Sequence, residues 1–517
     1  MNTKFISRKK VMALLLATVT LSCSSSNTPE EESPYLTVKS VSSQTLPATG
    51  SEVIISVASY PAATAQSDAG WMTLKSSTPL NEFTSFVFTA QANEGNAREA
   101  IITITAGEKK ETVTIGQAQS DEPENETAID ENLPAVKVAK ALGLGWNLGN
   151  QLDAHANEVA DETSWGNGKA TQETLNKVRD AGFTSVRIPI TWLGKVGEAP
   201  GYTIDAAWLE RAAEVVGYAE QAGLKAIINI HHDGHRQVNG DGSEEHHWLD
   251  IVAAAKDETA NTSIKEQLRA MWTQIAERFK EKGDFLIFEG LNEIHDGRWG
   301  SGTNTTDGGK QYAILNEWQQ VFVDAVRATG GNNATRYLGI SGYSTNPDLT
   351  MKHLKLPTDP AQDRLLVSVH YYDPATFALE DKFSEWGHTG ATGKKENWGD
   401  EEHLNGIFTA LRSTYVEKGI PVYIGEMGCV HRSSSRPESF RKYYLEYVCK
   451  AARTHGMSVF YWDNGNAGAG RECSGLMNHA TGVYFNNGKE VIDVMTKGYF
   501  SDDASYTLKS VYDRAPQ

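Results

Sequence analysis

The chain has 517 residues, more than one ordinary domain holds, so two domains or one large and one small are expected. Its 66 acidic side chains outnumber 48 basic ones, for a formal net charge of −18. That balance argues against nucleic acid or an anionic membrane surface as a partner and suits a soluble enzyme acting on a neutral polymer.

The N-terminus reads as a targeting segment. Lys4, Arg8, Lys9 and Lys10 form a basic region, and Val11 to Leu21 is mostly apolar. That run is too short to span a bilayer but suits a signal peptide. It ends at Leu21-Ser22-Cys23, followed by the polar SSSNTPEEE. A small residue before a Cys, then a polar tether, resembles a bacterial lipoprotein signal. The resemblance implies removal of residues 1–22, lipidation of Cys23, a tether over 23–33, and an outer-membrane protein facing the cell exterior. The other reading is an ordinary cleaved signal with a spare Cys. Cys429, Cys449 and Cys473 remain, an odd number with no CxxC spacing, and read as buried free thiols.

From 34 to 120 the pattern is all-β. EVIISVASY, FTSFVFTAQ, EAIITITAG and ETVTIGQAQ are short runs rich in Val, Ile, Thr and Phe, separated by Gly or polar clusters. That texture predicts a small immunoglobulin-like sandwich. Trp71-Met72-Thr73-Leu74, AREAIITIT and VTIGQAQS together resemble the BACON domain, which implies carbohydrate binding. A spacer is the other reading and is preferred here, because the only candidate ring, Trp71, sits at a position expected in the core. Residues 121–134 are acidic and Pro-containing and read as a linker.

From 135 to 517 short apolar strands alternate with helical patterns. The strands are LGLGWNLG, SVRIPI, AIINIHH, FLIFEGLNE, YLGISGY, LLVSVHYY, PVYIGEMG and VFYWDNG. Between them TQETLNKVRDAG, AAWLERAAEVVGYAEQAG and EQLRAMWTQIAERFKEKG carry apolar residues at three- and four-residue spacing and stop at Gly. Such βα units predict a (β/α)₈ TIM barrel, whose active site forms at the C-terminal ends of the strands. Those ends carry Asn147 and Asn150, Arg187, His231 with His232 and Asp233, Asn292 with Glu293, His370 with Tyr372, Glu426, and Trp462 with Asp463.

Two carboxylates converging in a pocket suit glycoside hydrolysis, one protonating the leaving oxygen and the other attacking the anomeric carbon. GWNLGN, VRIP, NIHHD, the NE of FEGLNE, VHYY, the IGE of YIGEMG and YWDNG, in that order, resemble glycoside hydrolase family 5 over about residues 135–515. GWNLGN, TSWGN, NIHHDG and a long loop after VHYYDP resemble its subfamily 4, whose members are endo-acting β-1,4-glucanases, many acting on xyloglucan. The resemblance implies a retaining mechanism with Glu293 as acid/base and Glu426 as nucleophile. It places Arg187 and Tyr372 against the nucleophile, Asn292 at the sugar 2-hydroxyl and His370 near the acid/base. His231 and His232 line the −1 subsite, Trp462 lies under the −1 sugar, and Trp165 adds to the wall. Asn147 and Asn150 brace loops behind them.

Other readings stay open. HHDGH with His246 and His247 invites a metal, but an adjacent His pair on a continuing strand points opposite ways, and HExxH and HxH are absent. Neither a metal nor a cofactor is expected. Asp233, Asp241, Glu244 and Glu245 form an alternative structural Ca²⁺ set. Glu289 reads as a structural interior carboxylate. Trp248, Trp299, Trp386 and Trp398 in Gly-rich loops either stack along an open cleft or pin the loops. The expected substrate is a plant cell-wall β-glucan, with xyloglucan first. Mixed-linkage glucan, cellulose, β-mannan and a non-catalytic glycan-binding role are the alternatives. A monomer is expected.

Overall fold

The structure is a computed structural model that describes residues 33–517, save 49, 81–82, 94–96, 119–128, 239–242 and 300–306. The signal, Cys23 and most of the linker lie outside the described residues. The chain divides into two units, Met1–Ser120 and Asp121–Gln517.

The first unit holds two four-stranded sheets. One runs Tyr35–Val41, Glu52–Tyr60, Phe83–Ala90, Met72–Leu80, and the other Thr45–Leu46, Lys109–Gln117, Arg98–Ala106, Thr64–Ser67. Strict alternation builds the core: Val53, Ile55 and Val57 are closed from solvent while Glu52 and Ile54 between them face outward. They meet Phe86 and Phe88 of the same sheet and Ile102, Ile104 and Ile115 of the other. Trp71, expected in the core, is half-buried at its margin. The core position goes to Met72, the first residue of the strand, and the Arg98 guanidinium lies 4.4 Å from the Trp71 ring.

The second unit is a closed barrel of parallel strands: β1 Leu144–Leu148, β2 Ser185–Ile188, β3 Lys225–Asn229, β4 Leu286–Glu289, β5 Leu338–Ser341, β6 Leu365–His370, β7 Val422–Met427 and β8 Ser458–Asp463. Six lie within the runs read from the sequence, and β3 and β8 each start one residue before theirs, at Lys225 and Ser458. Helices cover the outside, so the strands are buried on both faces and appear as apolar runs. The helix starts are locally coded. Thr171 accepts from the Thr174 amide, and the Thr174 hydroxyl accepts from the Thr171 amide. Asp205 caps Ala206–Ala222, which stops at Gly223 in the left-handed region.

Inside the barrel, Ile227, Ile287, Leu366, Tyr423 and Phe460 form an apolar floor. Gly145 on β1 leaves room for it, since a Cβ there would sit 2.1 Å from the Phe460 ring. Above this floor the inward side chains turn polar: Arg187, Asn229, Glu289 and Ser368, all closed from solvent.

Candidate active site

Two local departures from regular strand geometry build the site. On β7, Val422 and Ile424 face the helices and Tyr423 faces inward. Continued alternation would send Glu426 outward. The pairing with β6 shifts instead: Val369 pairs with Ile424, and His370 pairs with Glu426. Gly425 is the extra residue of this bulge, which turns Glu426 into the barrel. Asn147 on β1 holds the bulge by donating to the Gly425 carbonyl at 2.9 Å. On β4 the strand ends at Glu289, so Asn292 and Glu293 leave the alternation and both reach the pocket.

Arg187 organises the floor. Its Nη1 donates to Glu426 Oε1 at 2.7 Å and to Asn147 Oδ1 at 3.0 Å. Its Nη2 donates to Asn292 Oδ1 at 2.7 Å, and its Nε to Glu289 Oε2 at 2.8 Å. The Tyr372 hydroxyl donates to the other Glu426 oxygen at 3.0 Å. His370 Nδ1 lies 2.7 Å from Glu293 Oε1 and 3.6 Å from Glu426 Oε2. Glu293 and Glu426 have carboxylate oxygens within 4.8 Å of each other.

Two carboxylates this close share their proton affinity, and His370 decides how. Burial pushes Glu426 above the ordinary carboxylate range, against the pull of His370 and Arg187, and the Glu293 charge adds to the rise. Burial acts on Glu293 as well but is outweighed by the His370 hydrogen bond and charge, which hold it below that range. Glu293 therefore depends on His370 for its ionisation, whereas Glu426 keeps a permanent cation and a hydroxyl. By its contacts Glu426, between the Arg187 guanidinium and the Tyr372 hydroxyl, is built to sit as the anion, while Glu293, against His370, is placed to carry the proton. That is the division of labour glycoside hydrolysis requires.

His231 and Trp462 stand beside this pair. Their rings stack 5.8 Å apart at 7°. Gly149 makes room for the indole, because a Cβ there would lie 2.9 Å from Trp462 Cζ2. Asn229 and Asn292 hold the His231 ring from its two nitrogens. Asn229 Oδ1 accepts from the Ile190 amide and its Nδ2 donates to Glu289 at 2.8 Å, so Nδ2 also donates to His231 Nδ1 at 3.1 Å. The other ring nitrogen, Nε2, lies 3.5 Å from Asn292 Nδ2 and 3.9 Å from Glu426 Oε1.

The structure corrects the expectation that His231 and His232 diverge. The strand stops at Asn229, His231 takes φ −99° and ψ −88°, and the two rings meet at 4.4 Å. Asp153, His231 and His232 present ligand-type atoms within 4.8 Å of one another. His232 Nε2 lies 3.5 Å from Asp153 Oδ2. Asp233 and Glu244, two of the four residues read as an alternative cation set, serve other partners. Asp233 accepts from Trp248 Nε1 and the Trp192 amide, and burial pushes its carboxyl up to about 6. Glu244 pairs with Arg236, and Asp241 lies outside the described residues.

Arg187, His231, Asn292, Glu293, His370, Tyr372, Glu426 and Trp462 thus meet in one pocket. His232 and Trp165 form an outer group, their rings 5.3 Å apart, with the Trp165 indole donating to the His155 carbonyl. Asn147 supports Arg187 and the bulge rather than a loop. Asp463 faces away and accepts from Trp146 Nε1 at 3.0 Å. The loop tryptophans divide. Trp386 is buried against Tyr443, Tyr444 and Tyr447, and Trp248 is held by Asp233. Trp299 and Trp398 are 55% and 46% exposed. Sequence reading missed Asn229 and the reach of Glu289; the alternation of Glu289 with inward Ile287 was the available signal.

Two family models match the chain: cellulase (glycosyl hydrolase family 5) over residues 152–468, and BACON, a putative N-terminal binding domain, over residues 60–118. A GH5-4 broad specificity endoglucanase from Bacteroides salanitronis is 59% identical, with a TM-score of 0.68, covering 73% of this chain and 98% of its own. Endoglucanase A of Paenibacillus barcinonensis is 38% identical over 65% of this chain and 83% of that protein. A xyloglucan-specific endo-β-1,4-glucanase of Bacteroides ovatus is 30% identical over 89% of this chain and 92% of that protein.

Proposed function

The chain belongs to glycosyl hydrolase family 5, and on that premise we propose an endo-acting, retaining β-1,4-glucanase that works by double displacement, with xyloglucan as its main substrate. One observation carries the mechanism: the oxygens of Glu293 and Glu426 lie within 4.8 Å of each other. That spacing suits retaining enzymes, whose carboxyl groups are about 5 Å apart; inverting enzymes keep roughly 6.5–9.5 Å to admit a water. Glu426 attacks the anomeric carbon as Glu293 gives its proton to the departing oxygen, leaving a glycosyl ester on Glu426. Glu293, now a base, takes a proton from water, which attacks the same carbon and releases Glu426.

Xyloglucan is favoured by the relative that spans both domains of this chain and carries that specificity. Action on several β-glucans is the second reading, favoured by the 59% identity to a broad specificity enzyme. The exposed Trp299 and Trp398 rings serve as platforms for the glucan chain. The test is reducing-end release on xyloglucan, barley β-glucan, carboxymethylcellulose and glucomannan at equal mass. A clear lead for xyloglucan supports the first reading, and comparable rates the second. Loss on xyloglucan alone would overturn the first. In the same assay Trp299→Ala or Trp398→Ala raises KM by about tenfold, near 1.4 kcal/mol, with kcat little changed. An unchanged KM removes that ring from the cleft.

The proposal extends to place and partners. The enzyme is held at the outer membrane through lipidated Cys23 and faces outward, so the polymer is cut outside the cell. It works as a monomer without cofactor, with the β-sandwich as a spacer. Cys23→Ala should release it from the membrane fraction; continued membrane retention contradicts the anchor.

A further inference from the structure

Glu289 is the third buried carboxylate of the barrel, and the reaction proposed above does not use it. We propose that Glu289 is a positioning residue whose charge divides the Arg187 guanidinium between two carboxylates and so sets how firmly Glu426 is held ionised. This rests on the double-displacement reading.

The case begins with its partners. Glu289 is closed from solvent and accepts four hydrogen bonds on two oxygens. Ser368 Oγ and Tyr423 Oη donate to Oε1 at 2.7 and 2.8 Å. Arg187 Nε and Asn229 Nδ2 donate to Oε2, both at 2.8 Å. The donors come from β2, β3, β6 and β7. The fifth neighbouring strand, β5, gives way: a Cβ on Gly339 would lie 2.3 Å from Tyr423 Oη. The count of four alone would suit a purely structural ion pair, whose remaining lone pairs must also be satisfied; the destinations of the donors go further. Here two of the four donors lead directly to the pocket, Arg187 to Glu426 and Asn292, and Asn229 to His231.

The charges follow from that geometry. The groups facing Glu426 and Arg187 are Glu289, Glu293, His231, His370, Tyr372 and Tyr423. Burial drives His231 well below the ordinary imidazole range and raises Tyr372 and Tyr423 well above the ordinary phenol range, so these three are neutral. Arg187, held ionised by Glu289 and Glu426 despite burial, is the permanent cation in the floor. Every share of it that Glu289 takes is lost to Glu426. A nucleophile with less support is a stronger base and attacks faster, at the cost of protonating at higher pH.

Glu289→Gln isolates the charge. The amide oxygen still accepts from Arg187 and Asn229, while the amide nitrogen donates to Ser368 and Tyr423, whose hydroxyls can rotate to accept. The test is kcat/KM against pH for wild type, Glu289→Gln and Ser368→Ala, on whichever β-glucan the wild type cleaves. The acidic limb of Glu289→Gln is expected about one pH unit lower, with kcat down about tenfold and KM within about twofold. Ser368→Ala removes a neutral bond to the same carboxylate and leaves the limb in place. A Glu289→Gln profile that superimposes on wild type after scaling overturns the proposal, whatever happens to its melting temperature. Carbon-13 titration of the Glu426 carboxyl in substrate-free protein, assigned by its loss in Glu426→Gln, reads the same shift without turnover. If the wild type cleaves no glucan, the function reading fails and this titration alone decides the role of Glu289.

Discussion

Glu426→Ala lowers kcat on soluble β-glucan by about 10⁵-fold or more, the scale expected when a covalent nucleophile is removed. The fold survives, because the charge most exposed to the loss is already balanced elsewhere. Arg187 Nη1 loses its 2.7 Å contact with Glu426, but Nη1 still donates to Asn147 and Nε to the buried Glu289. The cation is therefore never left unpaired, the situation that makes a broken buried ion pair strongly destabilising. Circular dichroism and melting should stay close to wild type while reducing-end release vanishes. Added azide can occupy the space of the lost carboxylate and attack an activated glucosyl donor from that face, giving a product of inverted configuration. Turnover within tenfold of wild type would remove Glu426 from the nucleophile role.

Glu293→Ala slows polymer hydrolysis by about 10²–10⁴-fold, the usual contribution of general acid–base catalysis. The two steps respond differently. A dinitrophenyl glycoside leaves without protonation, so its first step persists, and the ester on Glu426 accumulates because no base activates water. Azide needs no base, and restores turnover with a product of retained configuration. Without azide rescue, or with equal losses on both substrates, Glu293 is not the acid/base. The pH profile adds a sign. The His370 hydrogen bond and charge hold Glu293 below the ordinary carboxylate range. His370→Gln removes that pull, so Glu293 keeps its proton to higher pH and the basic limb of kcat/KM moves up. A downward or absent shift contradicts the assignment of that limb to Glu293.

The sequence by itself determined the architecture. Parallel strands covered on both faces are apolar apart from the few inward polar residues near their ends, so β1 to β8 stand out as short runs, and caps such as Thr171 and stops such as Gly223 mark the helices between them. It also determined which residue types collect at the strand ends, because a strand end is a chain-local feature. Alternation, read strictly, would have sent Glu426 outward with Ile424 and parted His231 from His232. Only the tertiary structure decided otherwise, through the Gly425 bulge and the early end of β3. The same holds for Glu289, whose four partners lie on four other strands, and for Trp386 and Trp299, alike in their loops and opposite in exposure. The reason is distance along the chain: Arg187 and Glu426 are 239 residues apart and touch at 2.7 Å. Local pattern is set by backbone geometry and burial, but which donor meets which acceptor depends on closure of the barrel, and no local window of sequence contains that.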